Sequence, residues 1–116
     1  MEVQVFGVNK SADTRKALRF FAERRIKAHF VDLAVRPASI GELQRFAQKF
    51  GSEALLDRAS RRFLDLGLQH TVLSPERWIQ KLSEEPMLLK LPLVRNGRLL
   101  TVGADEKTWR AWLELT

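Results

Sequence analysis

A mixed-sheet α/β fold is predicted for this chain by three observations. Residues 2–33 run from apolar alternation through helical periodicity to a second apolar stretch. Residues 39–85 keep helical periodicity without a strand pattern. Two short apolar runs at 91–94 and 99–102 flank a turn and precede a last helical segment. A strand-helix-strand unit makes its strands parallel by the crossover rule, and a hairpin is antiparallel. One sheet holding both is mixed, with about four strands.

Each element has its own justification. "EVQVF" (2–6) alternates with Val3 and Val5 on one face, as a short strand does. Asp13 or Ser11 can cap a helix running to about Arg25, with Leu18, Phe21, Ala22 and Arg25 along one side. "AHFVDL" (28–33) reads as the second strand. Ser39-Ile40-Gly41-Glu42 forms a capping box. The helix it opens turns Ile40, Leu43, Phe46, Ala47 and Phe50 to a core and stops at Gly51. From Ser52 to Leu66 the pattern weakens to that of two short helices. Ser74-Pro75-Glu76 is a strong helix start, with proline in the first turn, and Trp78, Ile79 and Leu82 form its buried stripe before Pro86. Asn96-Gly97 suits a tight hairpin turn between "LPLV" and "LLTV". Asp105 caps a final helix with Trp109, Trp112 and Leu113 on one side. Val3, Val5, Phe21, Phe30, Phe46, Trp78, Leu93 and Trp109 are expected to be buried in one core.

Composition narrows the function. At 116 residues the chain is expected to be a single domain, residues 1–116, with a helical insertion at about 39–85. No apolar run approaches the roughly 20 residues that span a bilayer, and the start lacks the order of a signal peptide. A cytoplasmic location without membrane association is the expectation. The chain has no cysteine, which excludes disulfides, thiolate metal sites and any thiol mechanism using its own sulfur. No glycine-rich phosphate loop or metal-ligand spacing occurs, and His29 and His70 are far apart, so no cofactor or metal is expected. Glu84-Glu85 and Asp105-Glu106 read as helix-end and helix-start charges. The net charge of +6 attracts anionic partners. Its basic residues are spread over most helices, with only Arg15-Lys16, Arg24-Arg25 and Arg61-Arg62 adjacent. That pattern describes solvated faces better than a nucleic-acid stripe, so nucleic-acid binding is the lowest alternative.

One strand-helix-strand half followed by a hairpin and a closing helix is the thioredoxin-like (glutaredoxin-like) order, with the helical segment inserted between strand two and the hairpin. At this level the chain resembles the arsenate reductase family, which includes the Spx-type transcription regulators. The residues that carry the resemblance are "FGVNKSADTRKA" (6–17), "PASIGELQRF" (37–46) and "EEPMLLKLPLVRNGRLLTVG" (84–103). Counting back from Arg15-Lys16-Ala17, the position of the family's cysteine nucleophile falls on Ser11, and that of a CxxC partner on Thr14. The arginine that commonly precedes the family's proline is here Leu91. The resemblance implies that Pro92 is the proline with a cis peptide facing the site. It also places Arg58 in or beside a segment where the family carries a second site arginine.

A serine hydroxyl cannot stand in for a thiol at this turn. A thiol becomes a thiolate cheaply at a helix N-terminus, whereas serine needs an adjacent base, and the turn offers only Asp13. Losing the cysteine and the arginine together points to natural divergence. What can survive is a helix N-terminus attractive to anions, with Lys10, Ser11, Thr14, Arg15 and Arg58 as candidate anion-binding residues. The leading expectation is a binding or regulatory module without catalytic residues. The resemblance to Spx-type proteins, which bind RNA polymerase, implies a protein partner, and transcription machinery by resemblance alone. The alternative is a reductase-like enzyme that borrows an external thiol such as glutathione.

Overall fold

The computed structural model describes residues 1–115. Strands β1 (Glu2–Gly7), β2 (Lys27–Asp32), β3 (Leu93–Asn96) and β4 (Leu99–Val102) form one sheet in the order β2-β1-β3-β4. The helices are α1 (Ala12–Glu23), α2 (Ile40–Phe50), α3 (Arg61–Asp65), α4 (Pro75–Glu84) and α5 (Glu106–Glu114), with short 3-10 turns at Ser52–Leu55 and Pro86–Leu88. β1 and β2 are parallel, with Val3 opposite Ala28 and Val5 opposite Phe30. β3 runs antiparallel to both β1 and β4. The mixed thioredoxin-like sheet predicted from the sequence is therefore present.

Helix starts follow the capping residues. The side chains of Ser11, Ser39, Ser74 and Asp105 accept from the amides of Thr14, Glu42, Arg77 and Thr108 at 3.1–3.3 Å. Each satisfies one of the amides that a helix start leaves without an intrahelical acceptor. Ser60 caps α3 in the same way at 3.1 Å, a cap the sequence pattern did not single out.

The chain divides into two compact units. Met1–Ala34, together with the segment from Leu91 onward, makes the first, and Val35–Lys90 the second. In the first, Val3, Val5 and Val94 pack with Ala17, Phe20 and Phe21 of α1 and with Trp109 and Trp112 of α5. The Trp109 indole N–H donates to Thr101 Oγ1 at 2.8 Å, so this buried ring leaves no donor unmet. In the second unit Leu43, Phe46, Leu55, Phe63, Trp78, Ile79, Leu82 and Leu88 are buried. The backbone amides of Lys90 and Asp57 donate to the carbonyls of Leu55 and Leu88, both at 2.8 Å. Arg62 clasps Glu85 through two bonds of 2.9 and 2.7 Å.

Several expectations need correction. The buried side of α1 is Thr14, Ala17, Phe20 and Phe21, while Ala22 and Arg25 are exposed and Leu18 is half-buried. The helix ends earlier than its periodicity suggests. The amides of Arg25 and Ile26 turn back to the carbonyls of Ala22 and Phe21 at 3.0 and 2.9 Å, with Arg25 at φ +57°. That is a Schellman close, which rotates Arg25 off the helix stripe. Phe30 is only half-buried, because β2 is an edge strand. Ile40 and Phe50 stand at the two ends of α2 and remain 40% and 37% exposed, so only Leu43 and Phe46 of that stripe are buried. Phe46 and Trp78 lie in the second unit rather than in the first unit's core. In the hairpin, Asn96 pairs with Leu99 and only Gly97 takes a positive φ (+60°). The two-residue connection is therefore Gly97-Arg98, of the kind with glycine first, and not Asn96-Gly97.

Candidate functional site

β1 delivers the chain to the turn Val8–Ser11, from which α1 departs. The turn is closed by the Ser11 amide donating to Val8 O at 3.1 Å. Arg15 reaches back from the first turn of α1 and donates to Asn9 O at 2.7 Å. Lys10 is exposed beside it, and Ser11 is half-buried. The Ser11 Oγ accepts from the Thr14 amide at 3.1 Å. The amides of Ala12 and Asp13 have no acceptor among the described residues, which leaves the start of α1 with the positive character of an open helix end.

Thr14 does not contribute a side chain to this opening. It is fully buried, its hydroxyl has no hydrogen-bond partner among the described residues, and it presses against Gly7 at the end of β1. A Cβ built on Gly7 would lie 2.6 Å from Thr14 Cγ2. Gly7 is thus what lets the first turn of α1 approach the strand, a role the sequence pattern missed. The available clue was a glycine immediately before a strand-to-helix turn.

The register Phe6↔Leu93 sets Pro92 at the end of β1 from which the turn departs. The Leu91–Pro92 peptide is cis, and Pro92 O accepts from the Gly103 amide at 2.9 Å. Leu91 is buried and apolar, so this position offers no donor to an oxyanion. Arg58 belongs to the second unit. There its guanidinium donates to Glu53 at 2.6 Å and stands 5.6 Å from the centre of the Phe63 ring. A paired guanidinium is a weaker anion ligand than a free one.

Among the described residues the Ser11 hydroxyl has no hydrogen bond to a histidine or carboxylate side chain. His29 lies opposite Gln4, toward the other end of β1, and its Nε2 faces Glu2 at 3.4 Å. His70 is in the second unit. Among the described residues no three His, Asp or Glu side chains are grouped to hold a metal ion, and no helix is long and apolar enough to cross a membrane. What the turn presents is a capped helix start flanked by Lys10 and Arg15, with the Asp13 carboxylate in its first turn and no thiol.

Residues 6–112 match the model of the ArsC family. The chain belongs to that family. Its relatives include the global transcriptional regulator Spx 2 of Oceanobacillus iheyensis, 28% identical over 115 residues, covering 97% of this chain and 84% of the relative. An ArsC family related protein from Bacteroides fragilis has the same fold with a TM-score of 0.85 at 18% identity, covering 96% and 97% of the two chains. The arsenate reductase from Vibrio cholerae superposes with a TM-score of 0.79 at 21% identity, covering 100% and 98%. This member of the ArsC family contains no cysteine at any position.

Proposed function

We propose that this chain is a cytoplasmic, non-catalytic member of the arsenate reductase and Spx group that works by binding a protein partner. The observation that carries the proposal is the state of Ser11. Its oxygen caps α1, and His29, on β2 opposite Gln4, faces Glu2 instead. Serine without a base is a poor nucleophile, and the chain has no sulfur nucleophile to replace it. Similarity to a transcriptional regulator makes a component of the transcription machinery the first partner to try. Lys10, Ser11 and Arg15, with the open amides of α1, support weak anion binding at the turn; Thr14 and Arg58 add little to it.

A reductase-like activity with glutathione as external thiol is the second proposal, supported by the same anion-friendly helix start. Arsenate reduction, assayed with glutathione and glutaredoxin supplied, separates the two. The binding-module proposal expects no turnover above the uncatalysed rate, and reduction by the unmodified chain would overturn it. A pull-down from native cytoplasm, scored for polymerase subunits against enzymes of thiol metabolism, then identifies the class of partner.

A further inference from the structure

Between the end of α2 and the start of α4, the second unit holds a cleft of about 750 Å³. That volume lies in the range of small-molecule sites. Ala47, Ala54 and Ile79 supply apolar wall, and the polar lining includes Ser52, Glu53 and Glu76. Ser52 is only 8% exposed, yet its hydroxyl has no hydrogen-bond partner among the described residues. A hydroxyl so placed costs stability unless something else meets it. Glu53 and Glu76 are the only ionisable groups in the lining, so in a chain of net charge +6 this cleft is acidic. Glu53 gives one oxygen to Arg58 at 2.6 Å. Glu76, in the first turn of α4, makes no ion pair among the described residues. The cations next to the cleft in sequence do not fill it. Lys49 stands over the Phe50 ring, 5.4 Å from its centre, and Arg77 is not part of the lining.

This lining discriminates between classes of ligand. An anion would meet two carboxylates and no cation. A purely apolar molecule would strip water from Glu76 and Ser52 and give no hydrogen bond in return. A bare metal ion would find no group of three histidine or carboxylate ligands among the described residues. We propose that the cleft binds a small organic cation, an ammonium or guanidinium group on an apolar body. Its N–H groups donate to Glu76 and to the unengaged oxygen of Glu53, and its hydrocarbon covers Ala47, Ala54 and Ile79. The Ser52 hydroxyl is a further acceptor for the same N–H groups. Charge-assisted bonds of this kind are roughly twice as strong as neutral ones, so the carboxylates select the head group and the walls select the body. The site uses neither Ser11 nor a protein partner, and it goes beyond the reading of the chain as a binding module.

The test is an NMR titration of the isotope-labelled full chain at neutral pH with three probes of similar shape, benzylamine, benzyl alcohol and benzoate. Benzylamine should shift the amides of residues 44–54 and 76–79 and bind roughly tenfold more tightly than the alcohol. Benzoate should cause no shift there. Glu76→Gln keeps the side chain's shape and should bring the amine close to the alcohol's affinity while leaving the alcohol unchanged. Ser52→Ala removes a hydroxyl without a partner among the described residues, so its fold is not at risk, and it should weaken the amine several-fold. Ala54→Phe, at an exposed position, fills the cleft and should abolish binding of both. Equal affinity for amine and alcohol, preferential binding of benzoate, or shifts centred outside the cleft would each overturn the site. So would undiminished amine binding by Glu76→Gln, or no shift with benzylamine at the highest soluble concentration. None of these outcomes bears on arsenate reduction or partner capture, so the cleft and the binding-module proposal can fail separately.

Discussion

Gly7 and Thr14 couple the end of the central strand to the start of α1, and this coupling can be measured. Gly7 does not adopt a positive φ, so alanine fits its backbone and the whole penalty comes from space. The added Cβ would lie 2.6 Å from Thr14 Cγ2 and closer still to Oγ1. Overpacking of this kind costs about 1–3 kcal/mol. Contacts this short belong to the upper half of that range, about 2–3 kcal/mol. The reduced freedom of the unfolded chain returns roughly 0.4–1 kcal/mol, for a net loss of about 1–2.5 kcal/mol in Gly7→Ala. Thr14→Ala removes both clashing atoms and leaves its own Cβ 3.0 Å from the new one, a tight but tolerable approach. On its own, Thr14→Ala loses a methyl contact but also removes a buried hydroxyl without a partner, two effects of about 1 kcal/mol that oppose each other. The double variant should therefore be more stable than Gly7→Ala alone, with a coupling energy of about 1–2 kcal/mol. Urea denaturation midpoints at unchanged m-value would measure it. Additive single effects, or a neutral Gly7→Ala, would refute the claim that α1 is seated on this contact.

Three further outcomes are expected. Ser11→Cys should give a thiol with a pKa below that of an ordinary cysteine, since the helix start and Lys10 and Arg15 favour the thiolate. Alkylation rate against pH would show it, and an ordinary thiol would mean that the turn does not activate this position. Reduction by that variant should also require Leu91→Arg, because losing one oxyanion donor typically costs about 100-fold or more in rate. Arg25→Gly should stabilise the chain by roughly 0.5–1 kcal/mol, measured by thermal unfolding, because glycine accepts the left-handed conformation at the close of α1 without strain. Arg62 holds the Glu85 carboxyl below its usual range through a hydrogen bond. A lowered folded-state pKa adds stability that is full above the ordinary glutamate value and is lost as pH falls below it. The stability gap between the native chain and Glu85→Gln should therefore be constant near neutrality and shrink in acid.

Much of the fold was legible because its punctuation is local. Ser11, Ser39, Ser74 and Asp105 cap where their residue types and spacing imply, and Gly51 ends α2 at φ +85°. What escaped depends on groups distant in sequence or on element ends. Periodicity could not show that Arg25 swings off α1, since the Schellman close needs only two amides to turn back. Phe30 looks like core in an apolar run, yet its burial depends on β2 lying at the edge of the sheet. At the turn, Ser11 was legible as a cap. The burial of Thr14 against Gly7 and the reach of Arg15 to Asn9 O were not, because both arise only when α1 folds back onto the end of β1. Arg58 shows the opposite case, a position suggested by resemblance whose charge is taken up locally by Glu53.

The strand order also sets a timetable for synthesis. β1 lies at the centre of the sheet, and β2 follows it closely in the chain. Its other neighbour is β3, whose pairing joins Phe6 to Leu93, 87 positions apart. At a ribosomal rate of about 5–20 residues per second, the second flank of β1 is uncovered for on the order of 4 to 17 s. Over that interval Val3 and Val5 lack Val94, Trp109 and Trp112, the later-made half of their packing cluster. The nascent strand-helix-strand unit therefore leaves the tunnel as an open-sided sheet, and the growing Val35–Lys90 segment is the first material made beside it.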